Sequence, residues 1–217
     1  MYKTVVFDLD GTLLNTLTDL ADAGNRLCRK YGWPTHERQA YRYFVGNGIP
    51  KLVERLAPAD QRTPAVLEAA LADFKRDYGQ HLRDTTAPYP GIPEMLANLK
   101  ANGVQLAVFS NKADALAKEV VKDYFGTQYF TIVRGQMTGV APKPAAEGTN
   151  ALLQVLHADP ASTLYVGDSN VDVETAHSAN LPCCGAVWGF RTREELNAAG
   201  AEYLAENSDE LYDVIMK

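Results

Sequence analysis

Asp8 and Asp10 stand two residues apart in Asp8-Leu9-Asp10-Gly11-Thr12, directly after the apolar run Val5-Val6-Phe7. In an extended chain, side chains two apart share a face, so both carboxylates point the same way. Ser110 follows a second apolar run, Val104 to Phe109, and Asp168 follows Gly167 after another, Thr163 to Val166, with Asp172 four residues on. Lys143 sits between prolines in Ala141-Pro142-Lys143-Pro144. These residue types suit phosphoryl transfer. Asp8 and Asp168 could hold Mg²⁺, which takes oxygen ligands from one or two carboxylates, water and a substrate phosphate. An ionised Asp8 could attack phosphorus and form an aspartyl-phosphate. Crowded carboxylates raise one another's pKa, which suits Asp10 to protonate a leaving alcohol and later to take a proton from water. Ser110 and Lys143 could then hold the phosphoryl oxygens. Each group also has a plainer reading. Asp10-Gly11 could be a simple turn, Ser110-Asn111 a helix cap, and Lys143 and Asp172 surface charges.

The elements that would position these groups can be read from periodicity. The run Tyr2 to Phe7 predicts a buried parallel strand. Further strands are expected at Val104–Phe109, Tyr129–Val133, Thr163–Val166 and Cys183–Val187, with helices between them at Pro93–Asn102, Ala113–Tyr124, Glu147–His157 and Val171–Ala179. Closing helices follow at Glu194–Ala199 and Ser208–Met216. This alternation predicts an α/β fold: a mainly parallel, Rossmann-like sheet with helices on both faces. In such a sheet, ligands sit outside the carboxyl ends of the strands, which is where Asp8, Asp10, Ser110, Asp168 and Asp172 fall. Residues 15–86 carry helical patterns without further strands, and the Pro/Gly-rich segment Ala87-Pro88-Tyr89-Pro90-Gly91 follows them. We therefore expect a core of 1–14 and 87–217 and an all-helical insert of 15–86.

Composition narrows the partners. The 217 residues carry 21 Lys and Arg against 27 Asp and Glu, a net charge of −6. That leaves no general electrostatic footprint for nucleic acid or anionic lipid, so neither is expected as a partner. No apolar stretch is long enough to span a bilayer, and the amino terminus lacks a signal pattern, so a cytoplasmic location is expected. Cys28, Cys183 and Cys184 read as small buried residues, and His36, His81, His157 and His177 show no metal-ligand spacing.

Asp8-Leu9-Asp10-Gly11-Thr12 resembles the D-x-D-G-T signature of the haloacid-dehalogenase superfamily. Ser110, Lys143 and Gly167-Asp168-Ser169-Asn170-Val171-Asp172 resemble its second, third and fourth motifs in the same order. The resemblance covers essentially the whole chain. It implies Mg²⁺ as cofactor, Asp8 as nucleophile and metal ligand, and Asp10 as general acid/base with its carbonyl on the metal. It further implies Asp168 as the remaining metal ligand, and Asp172 and Ser169 as supports behind Lys143 or a metal-bound water. Thr12 and Asn111 are expected at the substrate, and the insert at 15–86 takes the place of the helical cap.

Within the superfamily, Val45-Gly46-Asn47-Gly48-Ile49-Pro50 and Val187-Trp188-Gly189-Phe190-Arg191 look most like phosphoglycolate phosphatases. Asn15 and the Ala145-Ala146 pair after Lys143-Pro144 differ from the common pattern. The resemblance implies a small phosphate ester as substrate, 2-phosphoglycolate first, and a monomer or homodimer. Gly46, Asn47 and Gly48 would read the substrate's carboxylate, since glycines let backbone N–H groups approach an anion at a helix start. A sugar-phosphate mutase, or a phosphatase of another metabolite including pyrophosphate, are the competing readings within the family. A phospho-accepting signalling domain is the reading from another class; the first-strand position of Asp8 and the helical insert count against it.

Overall fold

In a computed structural model describing residues 1–217, the chain divides into two units, Met1–Leu14 with Pro88–Lys217, and Asn15–Ala87. The larger unit is built on a six-stranded sheet in which every neighbouring pair is parallel; from one edge to the other it runs β5 (Phe130–Gln136), β4 (Gln105–Ala113), β1 (Thr4–Phe7), β6 (Thr163–Gly167), β7 (Cys183–Ala186) and β8 (Tyr203–Ala205). The short strands β2 (Leu14–Asn15) and β3 (Ala87–Pro88) mark the two points where the chain passes between units. The fold is the α/β, Rossmann-like one that the alternation predicts.

The two strands flanked on both sides near the middle, β1 and β6, are buried along their whole length. This is why they read as continuous apolar runs: both sheet faces are covered, and no face is left for polar residues. Val6, Ala107, Phe109, Tyr165 and Cys183 pack with Leu152, Leu153 and Leu156 of the helix Ala146–Leu156 and Val173 and Ala176 of the helix Asn170–Ser178 in one apolar cluster. All three cysteines are buried and unpaired. The order of the strands reverses at β1, with β4 on one side and β6 on the other. The carboxyl ends of these three strands therefore open onto one crevice.

Several elements differ from expectation: the third strand, expected at Tyr129–Val133, spans Phe130–Gln136, and the two-stranded pair of β2 and β3 was not expected. The second strand runs on to Ala113 instead of stopping at Phe109, because Ser110, Asn111 and Lys112 keep extended backbone after the apolar run ends. β8 was not anticipated; three residues are too few to show a period.

The smaller unit holds four helices: α1 (Leu17–Tyr31), α2 (Arg38–Phe44), α3 (Ile49–Leu56) and α4 (Pro64–Gln80). Gly32 ends α1 in the left-handed conformation, with Trp33 N–H returning to the Cys28 carbonyl at 2.8 Å. Arg26 and Lys30 of α1 pair with Asp77 and Asp73 of α4. Gly24 lets the Tyr41 ring lie against α1, where any side chain would collide with it. Asp19, buried in the first turn of α1, accepts hydrogen bonds from the N–H and hydroxyl groups of Thr85 and Thr86, which hold its carboxyl below the usual range against the opposing pull of burial.

Candidate active site

The first strand ends by handing Asp8 to the crevice: Asp8 N–H bonds the Val166 carbonyl at 2.8 Å, which fixes the acid beside the end of β6. The chain then turns tightly, with the N–H groups of Leu13 and Leu14 both returning to the Leu9 carbonyl. Gly11 occupies the inside of this turn at φ +92°, and a side chain there would run into the Asp168 carboxylate. That glycine is demanded twice, by conformation and by contact.

Asp168, at the end of β6, is clasped from three sides. Thr12 Oγ1 donates to its Oδ1 at 3.0 Å, Phe190 N–H to its Oδ2 at 2.8 Å, and Arg191 N–H to its backbone carbonyl at 3.3 Å. Gly189 brings this loop close, since a side chain on it would meet both Asp168 and the Gly11 carbonyl. Trp188 donates its indole N–H to the Thr12 carbonyl at 3.0 Å. Thr12, expected at the substrate, is fully buried and spends its hydroxyl on Asp168. Trp188, Phe190 and Arg191, singled out in the sequence only by resemblance, thus brace the loops around Asp168, two of them through backbone N–H groups.

Lys143 is buried with its ammonium among four oxygens: Asp172 Oδ1 at 2.7 Å, Asp8 Oδ1 at 2.9 Å, Tyr165 Oη at 3.3 Å and the Phe109 carbonyl at 3.4 Å. Its approach to Asp8 is an ion pair too poorly directed for a hydrogen bond, and Asp8 Oδ1 has no hydrogen-bond partner. Burial works against the charge on Lys143, but Asp172 and Asp8 outweigh it and hold the ammonium protonated well above the ordinary lysine range. Asn111 braces the loop: its Oδ1 accepts from Lys143 N–H at 2.8 Å and its Nδ2 donates to the Lys143 carbonyl. An expected substrate contact thus serves here to hold Lys143. Asp172 is fully committed, Oδ1 to Lys143 and Oδ2 to the N–H and hydroxyl of Ser169. Ser110 is buried and accepts the Lys112 N–H at 3.3 Å.

Asp8, Asp168 and Asp172 bring carboxylate oxygens within 4.8 Å of one another, all buried. Burial pushes the Asp8 carboxyl up to about 6; Lys143 pulls it back, and Asp172 and Asp10 push it further. Burial, with Asp172 and Asp8 nearby, raises Asp168 well above the ordinary range. Asp10 is paired with Lys112, Nζ to Oδ1 at 3.0 Å. Four carboxyl groups face two ammonium groups, and the Asp8 oxygen that lacks a hydrogen-bond partner lies among them. A divalent cation fits this donor set. None of the four histidines belongs to it; His81 and His177 pair with Asp84 and Glu202 elsewhere.

In the smaller unit, Gly46 and Gly48 adopt φ +115° and +82°, and Gly48 precedes the first turn of α3. Arg55 of α3 donates to Asn47 Oδ1 at 2.8 Å and to the carbonyls of Tyr43 and Phe44. The loop is thus shaped by glycine backbone and pinned by a guanidinium.

A family model described as haloacid dehalogenase-like hydrolase matches residues 5–186. A phosphoglycolate phosphatase of Chromobacterium violaceum is 32% identical over 216 residues, 98% of this chain and 96% of its own length. One from Thiobacillus denitrificans is 31% identical over 191 residues, 87% of this chain and 84% of its own. A crystal structure assigned as a phosphoglycolate phosphatase, from Lactobacillus delbrueckii subsp. bulgaricus, superposes with a TM-score of 0.93 at 28% identity, covering 99% of this chain and 98% of that one. No helix of the chain is long and apolar enough to cross a membrane.

Proposed function

This chain belongs to the haloacid dehalogenase-like hydrolases, and from that premise we propose that it cleaves 2-phosphoglycolate to glycolate and phosphate, with Mg²⁺ as cofactor and Asp8 as nucleophile. That it is a phosphoric monoester hydrolase follows from the family and its phosphatase relatives. The observation that carries the assignment of roles is the buried trio Asp8, Asp168 and Asp172 with Lys143 on Asp8 and Asp10 beside it. An Asp8 oxygen attacks phosphorus as the bond to the alkoxide breaks, and Asp10 gives the alkoxide its proton. Water then attacks the phospho-aspartate, returns a proton to Asp10, and releases phosphate and the Asp8 carboxylate. Lys143 and Ser110 steady the phosphoryl oxygens. Asp8, Asp168 and the Asp10 main-chain carbonyl would hold Mg²⁺, whose charge offsets that of the transferring phosphoryl group. With a carboxyl raised only to about 6, Asp8 is mostly ionised at neutral pH, as a nucleophile must be.

A hydrolysis panel with Mg²⁺ tests the substrate. The highest kcat/KM is expected for 2-phosphoglycolate over sugar phosphates, nucleotides and pyrophosphate; a clear preference for another ester would overturn it. The cofactor is expected to show in stability as well as in turnover. EDTA should remove activity, and excess Ca²⁺ should inhibit, since it accepts more oxygens at longer distance. Without metal, Asp8 is protonated in folded and unfolded chains below 3.8 and ionised in both above about 6, where the folded state bears the cost. Metal-free protein should therefore lose stability as pH rises through that window. Mg²⁺ should raise Tm by several degrees at pH 7.5, and by much less at pH 5. An equal shift at both pH values would contradict the site.

We assign the substrate's carboxylate to the loop Gly46-Asn47-Gly48. Gly48→Val cannot test this, because a β-branched residue at φ +82° strains the backbone whatever it binds. Asn47→Asp keeps the Oδ1 contact to Arg55 and replaces the amide N–H₂ with a negative oxygen. KM for 2-phosphoglycolate is expected to rise about tenfold or more, from charge repulsion with little change in fold. KM for an aryl phosphate, which offers no carboxylate, should hardly move. Equal effects on both substrates would remove the loop from recognition.

A further inference from the structure

We propose that Lys112 is a positioning residue for proton transfer, holding the Asp10 carboxylate in the orientation from which it serves the leaving group; this rests on the reading of Asp10 as the acid/base. The Lys112 side chain is 2% exposed and that of Asp10 14%. An ammonium so deeply buried needs a charged partner, and Lys112 Nζ reaches both oxygens of Asp10, at 3.0 and 3.3 Å. Contact with both oxygens fixes the plane of the carboxylate. Each oxygen has further lone-pair capacity for exchanging a proton.

The mount of this lysine is itself held in place. Lys112 lies two residues beyond Ser110 on β4. Its N–H is bonded to Ser110 Oγ at 3.3 Å. The pairing of β4 with β5 shifts register between Phe109 and Ala113, re-aiming this stretch. Gly135 of β5 allows the approach, since a side chain there would strike the Lys112 carbonyl, and its N–H is clamped to Asp114 Oδ1 at 3.0 Å. Serine, glycine and aspartate thus converge on the backbone of one lysine whose ammonium meets Asp10. A buried ion pair contributes little net stability compared with apolar packing; what this one supplies is a fixed direction for a group that must meet a proton acceptor.

The phosphorylation step should be timed by rapid quench with 2-phosphoglycolate, whose alkoxide needs a proton to leave, and with p-nitrophenyl phosphate, whose phenolate does not. Lys112→Met is expected to slow the first by about 10–100-fold and the second less than about threefold. Asp10→Asn should show the same dependence on leaving group with a larger loss, and Lys112→Arg should recover part of the rate. The double variant Asp10→Asn/Lys112→Met should be no slower than Asp10→Asn alone, as expected when two residues act as a unit. That comparison also serves if Lys112→Met alone folds poorly, because the double variant leaves no unpaired carboxylate. Equal losses of Lys112→Met on both substrates, or a double variant slower than Asp10→Asn, would overturn the proposal while leaving Asp10 in its role. Absence of any leaving-group dependence in Asp10→Asn would instead remove the acid/base reading on which it rests.

Discussion

Asp8→Asn is expected to reduce turnover by at least about a thousandfold while leaving the metal-free protein as stable as the wild type or more so. The amide has the shape of the carboxylate but not its charge, so it cannot form the acyl phosphate; losing covalent catalysis costs several kcal/mol of barrier, on the order of a thousandfold or more in rate. Stability should move the other way. Burial and the neighbouring acids make the ionised Asp8 unfavourable in the folded state. Removing that charge removes this cost, and Lys143 keeps its 2.7 Å partner in Asp172. Released phosphate and Tm, measured on the same preparation at pH 7.5, check both halves. A variant that keeps more than about a tenth of wild-type kcat would sink the nucleophile assignment. A variant that loses activity together with many degrees of Tm would show that Asp8 supports the fold.

What the amino-acid pattern reveals of this site depends on which chemistry a side chain displays. Asp8 and Asp168 stand out because they are charged residues at the ends of buried strands, whereas Lys143, between prolines, reads as a surface charge until its place before the fourth motif singles it out. Lys112 is not legible, although it stands two residues from Ser110: a lysine at a strand end looks solvated, and its partner Asp10 lies 102 residues away. Phe190 and Arg191 show only as part of a resembling stretch, and their contact is not predicted, since they hold Asp168 with backbone N–H groups that any residue but proline carries. Their signal is Gly189, the residue whose missing side chain lets the loop approach. The sheet is legible where both faces are buried, as in Thr4–Phe7. At Gln105–Ala113 the apolar signal ends four residues before the strand does, because Ser110, Asn111 and Lys112 keep extended backbone without being apolar.

Lys143→Ala is expected to lower kcat by about a thousandfold, comparable to losing a strong electrostatic contact to the transition state. Unlike Asp8→Asn, it should also destabilise the protein. The ammonium is 1% exposed and stands between Asp8 and Asp172. Removing it leaves carboxylates buried without their cation, a change that costs far more than the pair itself contributes. Without Lys143, the folded-state pKa of Asp8 rises further above 3.8. The defect in Tm should thus be small below about pH 4, where the carboxyl is protonated in both states, and should grow as pH rises through 6 and beyond.

Lys143→Arg separates charge from shape. It keeps the cation, so most of the stability at neutral pH should remain. It cannot place a single nitrogen among four oxygens at 2.7 to 3.4 Å in a slot whose backbone is gripped by Asn111. Turnover is therefore expected to fall severely, though less than in the alanine variant. Tm across pH 4 to 8 and kcat at saturating 2-phosphoglycolate measure the two effects independently. Near-normal turnover in either variant would place Lys143 outside the reacting centre, and a pH-independent Tm defect in Lys143→Ala would mean that its loss acts through packing and not through the charge it balances.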